Sequence, residues 1–185
     1  MTRLLCAAET VLLAVAAGGI TPPMIHHIVF HAEAMAPAFD LPPLGLRFQR
    51  TAKGPHSIEV HDTLLALHQC TMLRCSDAGE LSPSREGDQA IREIAEKLAD
   101  WNRLIGQIGW AVRRGIARID EDPLYAVFTA GSPNDPAYSC GMEEERFNLT
   151  VGTLLALNRF GQPRDPWEAI GAYFRRTTPR RLAVA

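Results

Sequence analysis

The run Gly54-Pro55-His56-Ser57 constrains the fold of this chain more than any other four residues. Glycine lets an extended segment reverse, proline presets the next backbone angle, and serine caps whatever helix follows. Before it lies a partly alternating stretch, Leu44 to Thr51, with Leu44, Leu46 and Phe48 set against Arg47, Gln49 and Arg50. That pattern suits a short strand, which Lys53-Gly54-Pro55 should break. After it, Val60, Leu64, Leu65, Leu67 and Met72 recur at helical spacing, so Ser57 is read as the N-cap of a helix.

The segments on either side are helical in pattern. A first helix is expected from Arg3 to Ala17, stopped by Gly18-Gly19, with Leu4, Ala8, Val11, Leu12 and Val15 on one face. Arg3 and the apolar run behind it superficially resemble a signal peptide. Glu9 and Thr10 interrupt the run, which is also too short to span a bilayer, so a mature buried helix is expected. A second helix begins at Thr21-Pro22, with the proline at a position where its missing N–H costs nothing, and ends at Pro37. Glu80 to Ser84 reads as a short strand ended by Glu86-Gly87.

From Asp88 to Arg118 runs the longest helical stripe, through Ile91, Ala95, Leu98, Ile105, Val112 and Ile116, with Trp101 and Ile108 widening it. Gly106, Gly109 and Gly115 are its weak points. Beyond it a strand or turn over 124–129, a loop over 131–141, a helix over 148–158 and a last helix opened by Asp165-Pro166 are expected. The fold class is therefore mainly α with a small β wing. A module over residues 1–87 is followed by a helical extension, 88–185, packed on it as one unit.

The 185 residues carry a net charge of -2, which argues against a protein that coats nucleic acid by charge alone. The distribution is uneven. Asp120, Glu121, Asp122, Asp135, Glu143, Glu144 and Glu145 lie in a stretch without Lys or Arg, whereas Arg175, Arg176, Arg180 and Arg181 form a basic tail that could meet phosphates or an acidic partner. Cys6, Cys70, Cys75 and Cys140 make no CxxC pair; Cys6 and Cys70 are read as buried thiols in a reducing, cytoplasmic setting.

All six histidines lie between His26 and His68. His27 and His31 share a helical face at i, i+4, and His61 and His68 another at i, i+7, so His27, His31 and His61 are the weak candidates for a metal site. Against it, HExxH is absent and two helices would have to face each other, which leaves surface or half-buried histidines as the plainer reading. Templates for a P-loop, a GxSxG nucleophile and a dinucleotide fold are also absent. An acidic neighbourhood disfavours a thiolate at Cys140. No catalytic residue and no cofactor is expected.

The segment Ile25 to Gly87, about a third of the chain, resembles the winged-helix module of the YwgA-like family, relatives of the Panacea (DUF4065, SocA-like) antitoxin domains. Ile25-His26-His27-Ile28-Val29-Phe30 stands where that family has an apolar-Gln-Lys-apolar-apolar-aromatic run. Arg47-Phe48-Gln49-Arg50 and Lys53-Gly54-Pro55-His56-Ser57 stand for its strand and Tyr-Gly-Pro-aromatic-Ser turn; Leu81-Ser82 and Gly87 loosely match its wing. The departures are His26-His27 for Gln-Lys, Lys53 for the tyrosine and His56 for the aromatic residue.

The resemblance implies a prokaryotic regulator: DNA-associated or antitoxin-like, or an adaptor or accessory subunit in a mobile-element or defence complex. Arg47, Arg50, Lys53 and Arg85 are the candidate nucleic-acid contacts, in a wing-dominated mode. The helix after Ser57 offers Glu59, His61, Asp62, His68 and Gln69, acidic at its leading end and ill suited to reading a groove. DNA and protein partners stay equally open, a homodimer is compatible with either, and no membrane is implied.

Overall fold

The computed structural model describes residues 6–51 and 54–115. Five α-helices and two small hairpins follow one another along them. Helix α1 (Ala7–Val15) has Cys6 as its N-cap, so it starts later than the expected Arg3, and its first turn is closed by its own polar residues. The Cys6 N–H donates to Glu9 Oε2 at 3.1 Å, and the Thr10 hydroxyl donates to the Cys6 carbonyl at 3.0 Å. Glu9 and Thr10 are therefore buried without interrupting the helix. From Glu9 to Val15 every residue of α1 is buried, because α2 (Pro22–Met35), α3 (Ile58–Gln69), α4 (Arg85–Lys97) and α5 (Ala99–Arg113) all pack around it.

Helix α2 (Pro22–Met35) is likewise buried along its whole length from Ile25 onward, between α1, α5 and the first hairpin. A 3₁₀ turn, Ala36–Phe39, follows, and the chain returns through a loop tied down by Glu33. The Glu33 carboxylate accepts the Leu44 N–H at 2.7 Å and the Gly45 N–H at 2.8 Å. A buried acid thus holds the loop through two charge-assisted hydrogen bonds.

The strand-like stretch forms a shorter strand than its alternation suggests. Strand β1 is Gln49–Thr51 only, and it pairs antiparallel with β2, Gly54–His56, in the register Gln49↔His56, Arg50↔Pro55, Thr51↔Gly54. Gly54-Pro55 is thus the start of a second strand rather than the break between strand and helix. Gly54 has φ +114°, which only glycine adopts readily, and Pro55 sits where a two-stranded ribbon has an edge to spare its missing N–H.

Ser57 caps α3 (Ile58–Gln69) as expected: its Oγ accepts the Val60 N–H at 3.4 Å and donates to Glu59 Oε2 at 2.7 Å. A second hairpin, β3 (Leu73–Cys75) with β4 (Leu81–Pro83), follows directly. An isolated antiparallel bridge joins Ile20 to Leu81, with N–H···O bonds of 3.2 and 2.8 Å in the two directions.

The long stripe is two helices, α4 (Arg85–Lys97) and α5 (Ala99–Arg113). The chain leaves helical geometry at Leu98, φ −129° and ψ 51°, whereas Gly106 and Gly109 stay inside α5; of the three glycines only Gly115, at φ +64°, marks an end, that of α5. Helix α4 starts three residues earlier than the stripe suggests, because Ser84 Oγ accepts the Gly87 N–H at 3.0 Å and so caps it. Helix α5 packs Trp101, Leu104, Ile105, Ile108 and Val112 into the core against α1 and α2. The described part of the extension therefore shares one hydrophobic core with the segment before residue 87. Cys6 and Cys70, expected as buried thiols, are exposed: Cys6 precedes α1 and Cys70 follows α3. The acidic stretch 120–145, the elements expected over 124–129, 148–158 and from Asp165, and Cys140 lie outside the described residues.

Candidate functional site

The N-terminus of α3 brings histidines together by a simple helical relation. With Ser57 as N-cap, His56 is the residue before the cap and His61 the fourth of the helix. Those two positions lie over one another at a helix start, where apolar residues commonly meet as a staple. Here the pair is two imidazoles, ring centroids 5.8 Å apart. The third ring comes from α2: His26 stacks on His56 at 4.5 Å between centroids, with 29° between the planes. One ring nitrogen from each of His26, His56 and His61 lies within 4.8 Å of the others.

The three rings differ in exposure. His26 is 3% exposed, His56 half-buried and His61 exposed. Burial of His26, and then the nearness of His56 and His61, lowers its pKa to about 4. It is therefore neutral at pH 7. Its Nδ1 accepts the Ser57 backbone N–H at 3.2 Å, which assigns the ring proton to Nε2.

The expected metal candidates are redistributed by this geometry. His61 belongs with His26 and His56, not with His27 and His31. His27 and His31 are buried on α2, with 4.6 Å between ring centroids, and His31 Nδ1 donates to the His27 carbonyl at 3.0 Å. His31 also meets Phe30 edge-on at 5.4 Å, so this pair packs within the core. His68 Nδ1 donates to the Leu73 carbonyl at 3.2 Å and fastens the end of α3 to β3. The cluster is hidden in the sequence because its members come from α2, β2 and α3. The signal that could have found it is the pair of histidines flanking Ser57 at the cap-minus-one and fourth helical positions.

The candidate nucleic-acid contacts are carried by different parts of the fold. Arg47 is exposed just before β1, and Arg50 is the middle residue of that strand. This hairpin packs on α2. Arg85 is exposed at the first position of α4, beyond the other hairpin, which packs on α1 and bridges to Ile20. Lys53 and the tail Arg175, Arg176, Arg180 and Arg181 lie outside the described residues. The turn residues Gly54, Pro55 and Ser57 are all buried.

Helix α3 turns Val60, Leu64 and Leu67 inward. Its outward stripe is Ile58, His61, Asp62, Leu65, Ala66 and Gln69, spaced three and four apart, and holds no Lys or Arg. Ile58 is 63% exposed and Leu65 50% exposed. The β3–β4 hairpin exposes Asp77 and Glu80 together with Arg74. The third exposed large apolar residue among those described, Trp110 on α5, is covered on one face by the Arg114 guanidinium at 4.9 Å.

Compared with protein-family models, with curated proteins and with solved structures, the chain matches none of them.

Proposed function

We propose that the chain is a regulatory module of winged-helix type that works by gripping a protein partner through the outward face of α3. The winged-helix part of this reading is supported by element order. Helix α1, a strand-like residue at Ile20, α2, α3 and the β3–β4 hairpin follow in the sequence such modules use, with Ile20 bridged to β4 as a rudimentary third strand. The β1–β2 hairpin is then an insertion between the second and third helices.

The choice of a protein over DNA is carried by one observation: the stripe Ile58, His61, Asp62, Leu65, Ala66, Gln69. A helix read against a major groove needs Arg, Lys, Asn or Gln at its leading end and loses affinity for every carboxylate turned toward phosphate. This helix leads with Ile58, half-buried Glu59, His61 and Asp62. Two large apolar side chains beside carboxylates suit instead a partner whose apolar patch has a basic rim. Such a role agrees with the adaptor or antitoxin-like function that the family resemblance implies.

The test places a photo-crosslinking residue at Leu65 of the full chain in its native cells and identifies what is trapped. A single dominant protein, lost when Ile58→Asp is introduced, is the expected result. In parallel, duplex DNA is titrated at low ionic strength. Salt-dependent DNA binding that Arg47→Glu and Arg50→Glu abolish would overturn the protein-partner reading in favour of a wing-mediated DNA contact.

A further inference from the structure

We propose that His26, His56 and His61 form a site for one divalent transition-metal ion of the zinc class, each residue giving one ring nitrogen. Water completes the tetrahedron on the exposed side.

The donor set selects the ion. Three neutral imidazoles suit zinc, nickel or copper, whereas magnesium and calcium require oxygen ligands. Nitrogens held about 2.1 Å from a zinc ion stand about 3.4 Å from one another. The present spread of up to 4.8 Å is closed by side-chain rotation of His56 and His61, the two rings with solvent beside them. His26 is the fixed point, buried on α2. The exposure of His61 gives the ion a path in and leaves room for water as fourth ligand.

Metal binding at His26 must displace what its ring nitrogens already hold. His26 makes the exchange explicit. Its Nδ1 lone pair accepts the Ser57 N–H, and its proton is on Nε2. A metal at Nδ1 takes the place of the Ser57 N–H. A metal at Nε2 sends that proton to Nδ1 of the same ring, which then no longer accepts. Either way the Ser57 N–H gives up its bond to His26. Ser57 is the N-cap of α3, so metal occupancy is felt at the start of the helix that carries Ile58 and Leu65. The site stands on the histidine geometry alone and does not depend on what α3 binds.

The experiment uses the full chain after removal of bound metal with a chelator. Zinc is titrated by calorimetry, and cobalt is titrated for the visible absorption of a tetrahedral centre. One equivalent of zinc should bind, and magnesium should not. His61→Ala and His56→Ala, which touch half-buried or exposed positions, should each weaken zinc at least tenfold. His68→Ala, on the same helix but bonded to Leu73, should bind as the parent does. Zinc should raise the thermal midpoint of the parent and not of the His56→Ala/His61→Ala double variant. The Ser57 amide resonance should move with zinc in the parent and stay in place in the double variant. No zinc binding by the folded parent chain, or binding of equal strength in the double variant, would overturn the proposal.

Discussion

His26 shows how a single buried residue sets conditions on the whole chain. At 3% exposure beside two other imidazoles its pKa falls from 6.5 to about 4. Above about pH 6.5 the folded and unfolded chains both carry it neutral, and the stability is complete. As pH falls from there toward 4 the unfolded chain takes up a proton that the folded chain refuses. Folding then weakens by up to on the order of 3 kcal/mol, and below pH 4 this residue adds no further loss. Urea unfolding of chelator-treated protein at pH 7 and pH 4.5 checks this: the difference should shrink in His26→Asn. Gly87 is the second such residue. It lies in the first turn of α4 with an ordinary φ, and a Cβ there would run into the Met72 carbonyl, itself the acceptor of the Ser84 N–H. Gly to Ala in a helix ordinarily gains up to about 1 kcal/mol. Here Gly87→Ala should instead lower stability by about 1–3 kcal/mol, read as a lower denaturant midpoint.

Among the elements, the helix starts follow local chemistry, as do the ends of α1 and α5 at the left-handed glycines Gly18 and Gly115, but the break inside the long stripe does not. Ser57 and Ser84 cap α3 and α4 through their own hydroxyls. Ser57→Ala should cost about 1 kcal/mol in equilibrium unfolding. The break at Leu98 has no such local cause. Glycines at 106 and 109 look like the weak points, yet both lie inside α5. Gly109 faces α2, where an added Cβ would meet Ile28 Cδ1 at an ordinary contact distance of 3.5 Å, so it lies in a helix interface rather than at a turn. The chain bends at Leu98 because α4 and α5 each fold back on α1, and one straight helix could not meet it along both. The Gly-Pro pair reads as a break for a similar reason: a turn signal and a hairpin edge strand use the same residues, and only pairing with Gln49–Thr51 tells them apart.

Across the molecule, α1 and α2 are buried on nearly every side, and α5 supplies much of the cover. Ile108 is fully buried in that interface. Ile108→Ala should lower stability by about 2–5 kcal/mol while leaving a single unfolding transition by tryptophan fluorescence and circular dichroism. Two separate transitions would mean that residues before and after 87 fold as separate units. The helical character of the described residues, the cap at Ser57, the core residues Val60, Leu64 and Leu67 of α3, the core face of α5 and the acidic leading end of α3 are legible in the order of residues, whereas Leu65, grouped with the apolar residues of α3 by its spacing, faces outward. These are properties of periodicity and of neighbours within one or two turns. Packing in three dimensions settled the break at Leu98, the exposure of Cys6 and Cys70, and the meeting of His26 with His56 and His61. Residues some thirty positions apart come together only because α2 packs on β2 and α3 begins where β2 ends, and no local pattern in the chain encodes that contact.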